Sequence, residues 1–294
     1  MQKNRVTIGL PFYNNAGTLK DAVRSIFAQT WANWELIMTD DGSSDDSLNI
    51  VRKITDPRVK IIADGQNRGL VYRLNQITKE AAGEFLARMD GDDLIHPDRL
   101  LRQITFLENN PNHDLVSTGI CSIDRENRAR GVRALAPMNQ SAEAILTHGE
   151  IIHASVVGKR EWFKNNPYDP AFPRAEDREL WIRTFFSSRF GKVCEPLYFV
   201  REIDSFSLFK YLQSYTTERK ILRKYGRHVL GFQKTAFLCA RSWIKSILIS
   251  SLDRLGQANA MMKGRIVPLR EDQRQDFERA MAIIRSTIVP GLDI

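Results

Sequence analysis

Along the first half of the chain, hydrophobic and polar positions alternate between two periods. Val6–Phe12 is a short β-rich apolar run, and Gly17–Gln29 follows with Leu19, Val23, Ile26 and Phe27 near helical spacing. Trp34–Thr39 is the next apolar run, leading through a polar turn to a helix near Asp46–Ile54. Val59–Ala63 reads as strand, Val71–Ala82 as helix, Glu84–Met89 as strand, and Asp114–Ile123 as a fifth strand. Pro97–Glu108, between the last two, reads as a helix opened by its proline. Strands separated by single helices predict crossover units, hence an α/β fold with a mainly parallel, Rossmann-like sheet. Beyond about Asp204 the pattern changes to long helical segments, Phe209–Tyr225 and Gln233–Leu255. In the second, Phe237, Trp243, Ile244, Ile247, Leu248 and Leu252 interleave with Arg241, Lys245 and Arg254. The expected organisation is an α/β domain over residues 1–205 and a helical extension over 206–294.

Composition narrows the class. A chain of 294 residues, 43% apolar and 27% charged, is globular and fits one large domain plus an appendage. Cys121, Cys194 and Cys239 are odd in number and widely spaced, which excludes a disulfide scaffold and a zinc finger and suits a reducing compartment. The N-terminal MQKNRVTIGLPFYNN lacks a signal-peptide pattern, and no run approaches the roughly 18 apolar residues of a membrane span. A cytoplasmic chain that at most rests on a membrane surface is expected. Residues 206–294 hold 16 basic and 7 acidic side chains, leaving 27 basic and 28 acidic in the first 205. The net charge of +8 therefore belongs to the tail, which marks a boundary rather than a nucleic-acid-binding body.

Ligands of such sheets bind beyond the carboxyl ends of the strands. Three ends carry unusual residues: Pro11-Phe12-Tyr13-Asn14, Asp40-Asp41-Gly42-Ser43, and Asp90-Gly91-Asp92-Asp93. Clustered carboxylates repel unless a cation compensates, and hard oxygen ligands suit Mg²⁺ or Mn²⁺ bound together with substrate phosphates. Gly91 lets the backbone approach a ligand closely. Asp40 and Asp41 can accept from a base or from ribose hydroxyls, whereas Ser43, Ser44 and Asp45 read better as helix caps. Gly-x-Gly-x-x-Gly and P-loop patterns are absent, which removes nicotinamide and P-loop readings.

In order and spacing, these segments together with Ser25–Thr30, Asn67-Arg68-Gly69, Ala82-Gly83-Glu84, His153–Val157 and Ala175–Trp181 resemble the inverting family 2 glycosyltransferases of GT-A fold. The resemblance covers roughly residues 5–200. It implies that Asp90 and Asp92 form an Asp-x-Asp element holding the donor's ribose and diphosphate through a divalent metal, with Asp92 or Asp93 on the metal. It places Pro11, Tyr13 and Asp41 around the base, with Tyr13 stacking, Asp40 in support, and Asn14 and Gly91 in the same donor-binding set. Arg68 could approach the diphosphate or be an exposed loop arginine; His153 could help to hold the metal or be a buried core histidine. Glu176-Asp177 match the family's acidic pair, with Asp177 as general base, although acids in a first helical turn also satisfy the helix dipole. Glu176 and Trp181 are the acceptor-site candidates, and Trp181 and Trp162 line an acceptor cleft in one reading and fill the core in the other.

The implied activity is inverting, metal-dependent transfer of a sugar from a nucleotide-sugar, a UDP-sugar being favoured, to a glycan or lipid-linked glycan in bacterial surface-polysaccharide synthesis. A metal-dependent nucleotidyltransferase or phosphohydrolase would also use clustered carboxylates but leaves Asp177 without a role. A non-catalytic sugar-nucleotide-binding module is the third reading. The basic tail, over roughly Phe206–Arg265, suits an anionic membrane surface or a helical lid. Nucleic acid is not expected, because the tail lacks regular aromatic–basic interleaving.

Overall fold

The computed structural model of the protein describes residues 5–201, 207–254 and 267–293. Its strands are β1 (Val6–Phe12), β2 (Trp34–Asp40), β3 (Val59–Ala63), β4 (Phe85–Arg88), β5 (Leu94–Ile95), β6 (Leu115–Ile123), β7 (Ala129–Arg133), β8 (Val157–Lys159) and β9 (Phe190–Arg201). They form one sheet in the order β3-β2-β1-β4-β8-β6-β9-β5, with β7 paired to β6 off this path. β3, β2, β1 and β4 are mutually parallel, as the crossover pattern predicts. β8 runs antiparallel to β4 and β6, and β5 and β7 are antiparallel to their neighbours, so the second half of the sheet is mixed.

The helices of the first two thirds are α1 (Leu19–Phe27), α2 (Ser47–Val51), α3 (Leu70–Glu80), α4 (Arg99–Asn109), α5 (Ala142–His148), α6 (Arg160–Asn165) and α7 (Glu176–Thr184). α8 (Leu208–Ile221), α9 (Arg227–Leu230), α10 (Phe232–Arg254) and α11 (Glu271–Ser286) follow. All seven β1 residues are buried, because helices cover both faces of the strand; its run is therefore continuously apolar rather than alternating. Leu19, Ala22, Val23 and Ile26 of α1 pack on one side of the sheet, and Val71, Leu74 and Ile77 of α3 on the other. A Cβ on Gly9 would lie 2.5 Å from Ile77 Cγ2, so glycine in β1 is what lets α3 seat so closely. Running out through β2 and β3 and then back to β4, the chain reverses beside β1. That switch point is where ligand crevices open in such sheets.

The tail is not one body. Phe277, Ala280, Met281 and Ile284 of α11 pack with Leu94, Cys121, Ile123 and Phe199 of the sheet. Val289 enters the main core, and Asp293 pairs with Arg24 of α1 at 2.5 Å and with Lys20 at 3.2 Å. α8 and α10 instead form a hairpin against α7 and the loop before it: Ile182 and Phe172 share an apolar cluster with Ile221, Leu222 and Leu238. The segment proposed for a membrane surface lies partly outside the described residues, at 206 and 255–265. No helix among the described residues is long and apolar enough to cross a membrane.

Candidate active site

The sequence leaves β1 at Asn14, whose left-handed backbone (φ 54°) asparagine tolerates better than most residues. From there its Oδ1 accepts from Ser44 N at 2.8 Å and Asp45 N at 3.3 Å, while its own N–H donates to Ser43 Oγ at 3.0 Å. The β1 and β2 loops are thereby knitted together, which is the structural work expected of Ser43, Ser44 and Asp45: the two serines serve Asn14, and Asp45 Oδ1 also accepts from the N–H of Ser47 at the start of α2, at 3.0 Å. Tyr13 lies beside them, 48% exposed, and Pro11 is buried in the strand.

Asp40 and Asp41 are less available than expected. Asp40 is buried and closes its own turn by accepting from Ser43 N at 3.0 Å. Asp41 accepts from the N–H groups of Arg68 (2.8 Å) and Gly69 (3.0 Å) and from Arg73 Nε (3.0 Å). Arg73 is fully buried and also donates to Asp64 Oδ1 at 2.6 Å and to the Gln66 carbonyl at 2.5 Å. The pair thus orders the Asp64–Gly69 loop. Sequence reasoning missed Arg73, although a charged residue on the apolar stripe of Leu70, Leu74 and Ile77 was a readable signal. Arg68 sits on the rim, paired with Asp64 at 2.8 Å and over the Tyr72 ring at 4.9 Å. Beside it runs a cleft of about 560 Å³ lined by Leu70, Asn75, Pro170 and Pro173.

The acid loop at the end of β4 has three differently placed carboxylates. Asp90 is partly exposed and holds Arg88 bidentately, at 2.9 and 3.2 Å. Asp92 keeps its carboxyl free of the described hydrogen bonds; burial first, then Asp90, raises its proton affinity. Asp93 is buried, accepts from Arg201 N at 2.7 Å and from the Tyr198 hydroxyl, and is pushed well above the carboxylate range by burial and its two neighbouring acids. That corrects its expected place on a metal: it anchors the loop to β9. A Cβ on Gly91 would meet Phe12 Cβ at 3.0 Å and Asn15 Oδ1 at 3.1 Å, so glycine lets the loop lie on the end of β1 without displacing these side chains.

On the other side of the crevice, α7 starts from Ala175, a non-glycine residue held at φ 55°. Strain of this kind costs on the order of 1–3 kcal/mol and persists where surroundings over-determine the backbone. Here α7 is clamped further on: fully buried Glu179 accepts from Arg183 (3.1 Å), Lys224 (3.2 Å) and the Tyr225 hydroxyl. Glu176 is buried beneath the crevice, with Oε1 3.5 Å from His153 Nδ1, and His153 Nε2 is 2.8 Å from the Tyr168 hydroxyl. Burial, then Asp177, raises Glu176 to about 7 against the pull of Arg88. Burial, then Arg88, drives His153 well below its ordinary value, so the imidazole is neutral. Trp181 is buried, stacked on Trp162 at 6.1 Å and edge-on to Phe190, so it is core and not an acceptor platform.

The two acidic groups meet through Arg88, the second residue that sequence reasoning missed. Burial disfavours its charge, yet Asp90, Tyr168, Tyr198 and Glu176 together hold its proton more tightly than usual. Tyr168, in turn, feels Glu176, Asp177 and Asp90 at once. A charged side chain in the apolar strand Phe85–Met89 was the available clue. For a divalent cation, the ligand atoms of His153, Glu176 and Asp177 lie within 4.8 Å of one another. Their chemistry fits: a neutral imidazole, and a carboxyl pair, Glu176 buried and Asp177 partly exposed, whose repulsion a cation would relieve. The set expected from sequence, Asp92, Asp93 and His153, is not brought together in this way among the described residues.

A protein-family model for glycosyl transferase family 2 matches residues 7–174, ending just before Glu176. EpsE of Bacillus subtilis (strain 168) is 33% identical over 231 residues, covering 74% of this chain and 80% of the relative. The Escherichia coli UDP-Glc:alpha-D-GlcNAc-diphosphoundecaprenol beta-1,3-glucosyltransferase WfgD is 32% identical over 178 residues, covering 60% of this chain and 68% of the relative. In fold, the chain is similar to S. aureus TarS (residues 1–349, solved with UDP-GlcNAc) at TM-score 0.62 and 16% identity, covering 98% of this chain and 82% of that one. GT-A architecture and a family match over more than half of the sequence agree: this chain belongs to glycosyl transferase family 2.

Proposed function

We propose that the protein transfers a sugar, with inversion, from a nucleoside-diphosphate sugar to a hydroxyl of a lipid-linked glycan during bacterial surface-polysaccharide synthesis. The observation that carries this reading is the meeting of the Asp90–Asp92 loop and the Glu176–Asp177 pair around Arg88, one side suited to a diphosphate and the other to an alcohol. A UDP-sugar is favoured because WfgD is named for UDP-Glc and TarS was solved with UDP-GlcNAc. The diphosphoundecaprenol in WfgD's name supports the lipid-linked acceptor and, with it, action at the inner face of the cytoplasmic membrane.

In this reading Tyr13 stacks on the base, with Pro11 behind it; Asn14 and Asp41 hold the loops that frame the base, and Arg68 reaches the diphosphate from the rim. Asp177, in the first turn of α7, takes the acceptor's proton as the hydroxyl attacks the anomeric carbon opposite the leaving nucleoside diphosphate. His153 and Glu176, whose ligand atoms lie within 4.8 Å of each other, would hold a divalent cation, Mn²⁺ or Mg²⁺, which when bound would supply positive charge to the departing diphosphate. Arg88 fixes Asp90, so the loop keeps its shape as ligands come and go. Asp177→Asn should lower kcat by roughly 10²–10⁴ while donor Kd changes less than about twofold, since a base acts mainly in the transition state. Donor titration alongside turnover tests this, and parallel loss of both would remove Asp177 from the role.

A further inference from the structure

α10 is packed inside out. At 100° per residue, Ser242, Ser246 and Ile249 lie on one face, and this face is the buried one. It closes on α8, where buried Arg219 donates to Ser246 Oγ at 2.9 Å and Glu218 accepts from Ser242 Oγ at 2.9 Å. The apolar face points out: Phe237 is 65% exposed, Ile244 63%, Ile247 64%, and Trp243 and Leu248 lie beside them at 52% and 47%. An amphipathic helix in a globular protein turns its apolar stripe to the core. Here Leu238 and Ile249 share the seam with hydroxyls and charge, and the larger apolar stripe is left for something else. Contiguous exposed apolar surface of this kind marks an interaction site.

Charge selects the occupant. Residues 207–254 carry 10 basic and 2 acidic side chains, whereas 267–293 carry 4 and 5, so most of the tail's excess belongs to this hairpin. Arg241 and Lys245 run along one edge of the stripe, Arg254 stands at its end, and Asp253 is the single acid of α10. A second copy of the chain would set these cations near their own kind; an anionic lipid surface matches them. We infer that the outer face of α10 is a membrane-surface anchor that lies along an anionic bilayer, with Phe237, Ile244 and Leu248 sunk among the acyl chains and Arg241 and Lys245 on the headgroups.

This anchor deepens the proposed function, because it brings the chemistry to a lipid-held acceptor. Glu218 of α8 pairs with Arg178 of α7 at 3.4 Å as well as with Ser242 of α10. The hairpin that carries the stripe is therefore joined directly to the helix that bears Asp177.

Flotation of the full chain decides the matter without any transfer reaction. It should float with phosphatidylcholine–phosphatidylglycerol vesicles and stay behind with phosphatidylcholine alone. Ile244→Glu/Leu248→Glu should abolish flotation, and Arg241→Gln/Lys245→Gln should weaken binding roughly 30-fold, at about 1 kcal/mol per charge. Both variants should keep the native melting temperature, since these side chains face out. Asp177→Asn should float like the native chain, so failure of the transfer reading and failure of the anchor are told apart. Equal flotation of the native chain and the glutamate variant would overturn the anchor. So would a dimer in sedimentation that the glutamate variant dissolves, because the occupant would then be a second copy.

Discussion

The two sides of the crevice handle their acids in opposite ways. On the donor side, Asp40, Asp41 and Asp93 are each met by protein N–H groups, and Arg73 and Arg88 supply matching charge. On the α7 side, Glu176 has a neutral imidazole at 3.5 Å, the repulsion of Asp177 and no paired cation of its own among the described ion pairs, Arg88 being held by Asp90. The difference teaches where rigidity and where reactivity are kept. A satisfied carboxylate shapes a loop that can receive a large ligand without reorganising, whereas an unsatisfied pair stores affinity for a proton or a cation.

Three perturbations sharpen that contrast. The largest effect should come from removing the cation: EDTA, or Glu176→Gln, should abolish turnover, with Mn²⁺ or Mg²⁺ restoring activity after the chelator only, since several kcal/mol of charge stabilisation is at stake. Full activity in EDTA would leave the α7 acids unexplained. Next, Arg73→Met should destabilise the fold by about 3–5 kcal/mol, because Asp41 keeps its burial and loses its countercharge. Urea denaturation measures this, and a change under about 1 kcal/mol would mean that the donor side does not depend on that pair.

The third effect is the smallest and lies in pH. Glu176 is raised from 4.5 to about 7, so the folded chain holds a proton that the unfolded chain releases between these values. Its contribution is complete below pH 4.5 and fades as pH climbs through 7, a loss of up to about 3 kcal/mol. His153 acts oppositely, costing stability as pH falls below 6.5, and this part is common to both proteins compared. Metal-free Glu176→Gln should therefore melt a few degrees above the native chain at pH 8 and match it near pH 5. A constant gap between the two melting curves across that range would contradict the buried-acid account.

Much of the scaffold was legible in the sequence. β3 and the runs that became β1 and β2 are apolar segments of strand length, and α1 shows its buried face as Leu19, Val23 and Ile26. The antiparallel strands were not legible, because parallel and antiparallel partners demand the same apolar residues of a strand buried on both faces. Site residues divided along a similar line. Motif position brought Tyr13, Asn14, Asp90 and Glu176 to strand or helix ends around one crevice. It could not say that Asp93 turns inward or that Trp181 is core, and although Arg73 and Arg88 stand out on apolar stretches, it could not name Asp41 and Asp90 as the acids they neutralise, since those pairings are made by the fold.

By itself, then, the sequence determined periodicity, the acids at the strand ends and the family, because these depend on local spacing along the chain. Tertiary structure alone decided which acids are neutralised and which are left wanting, and which face of α10 is outside. Both outcomes turn on burial and on partners far apart in sequence, such as Asp93 with Arg201 and Arg219 with Ser246. The energy of a charge or of an apolar stripe is set by what finally covers it.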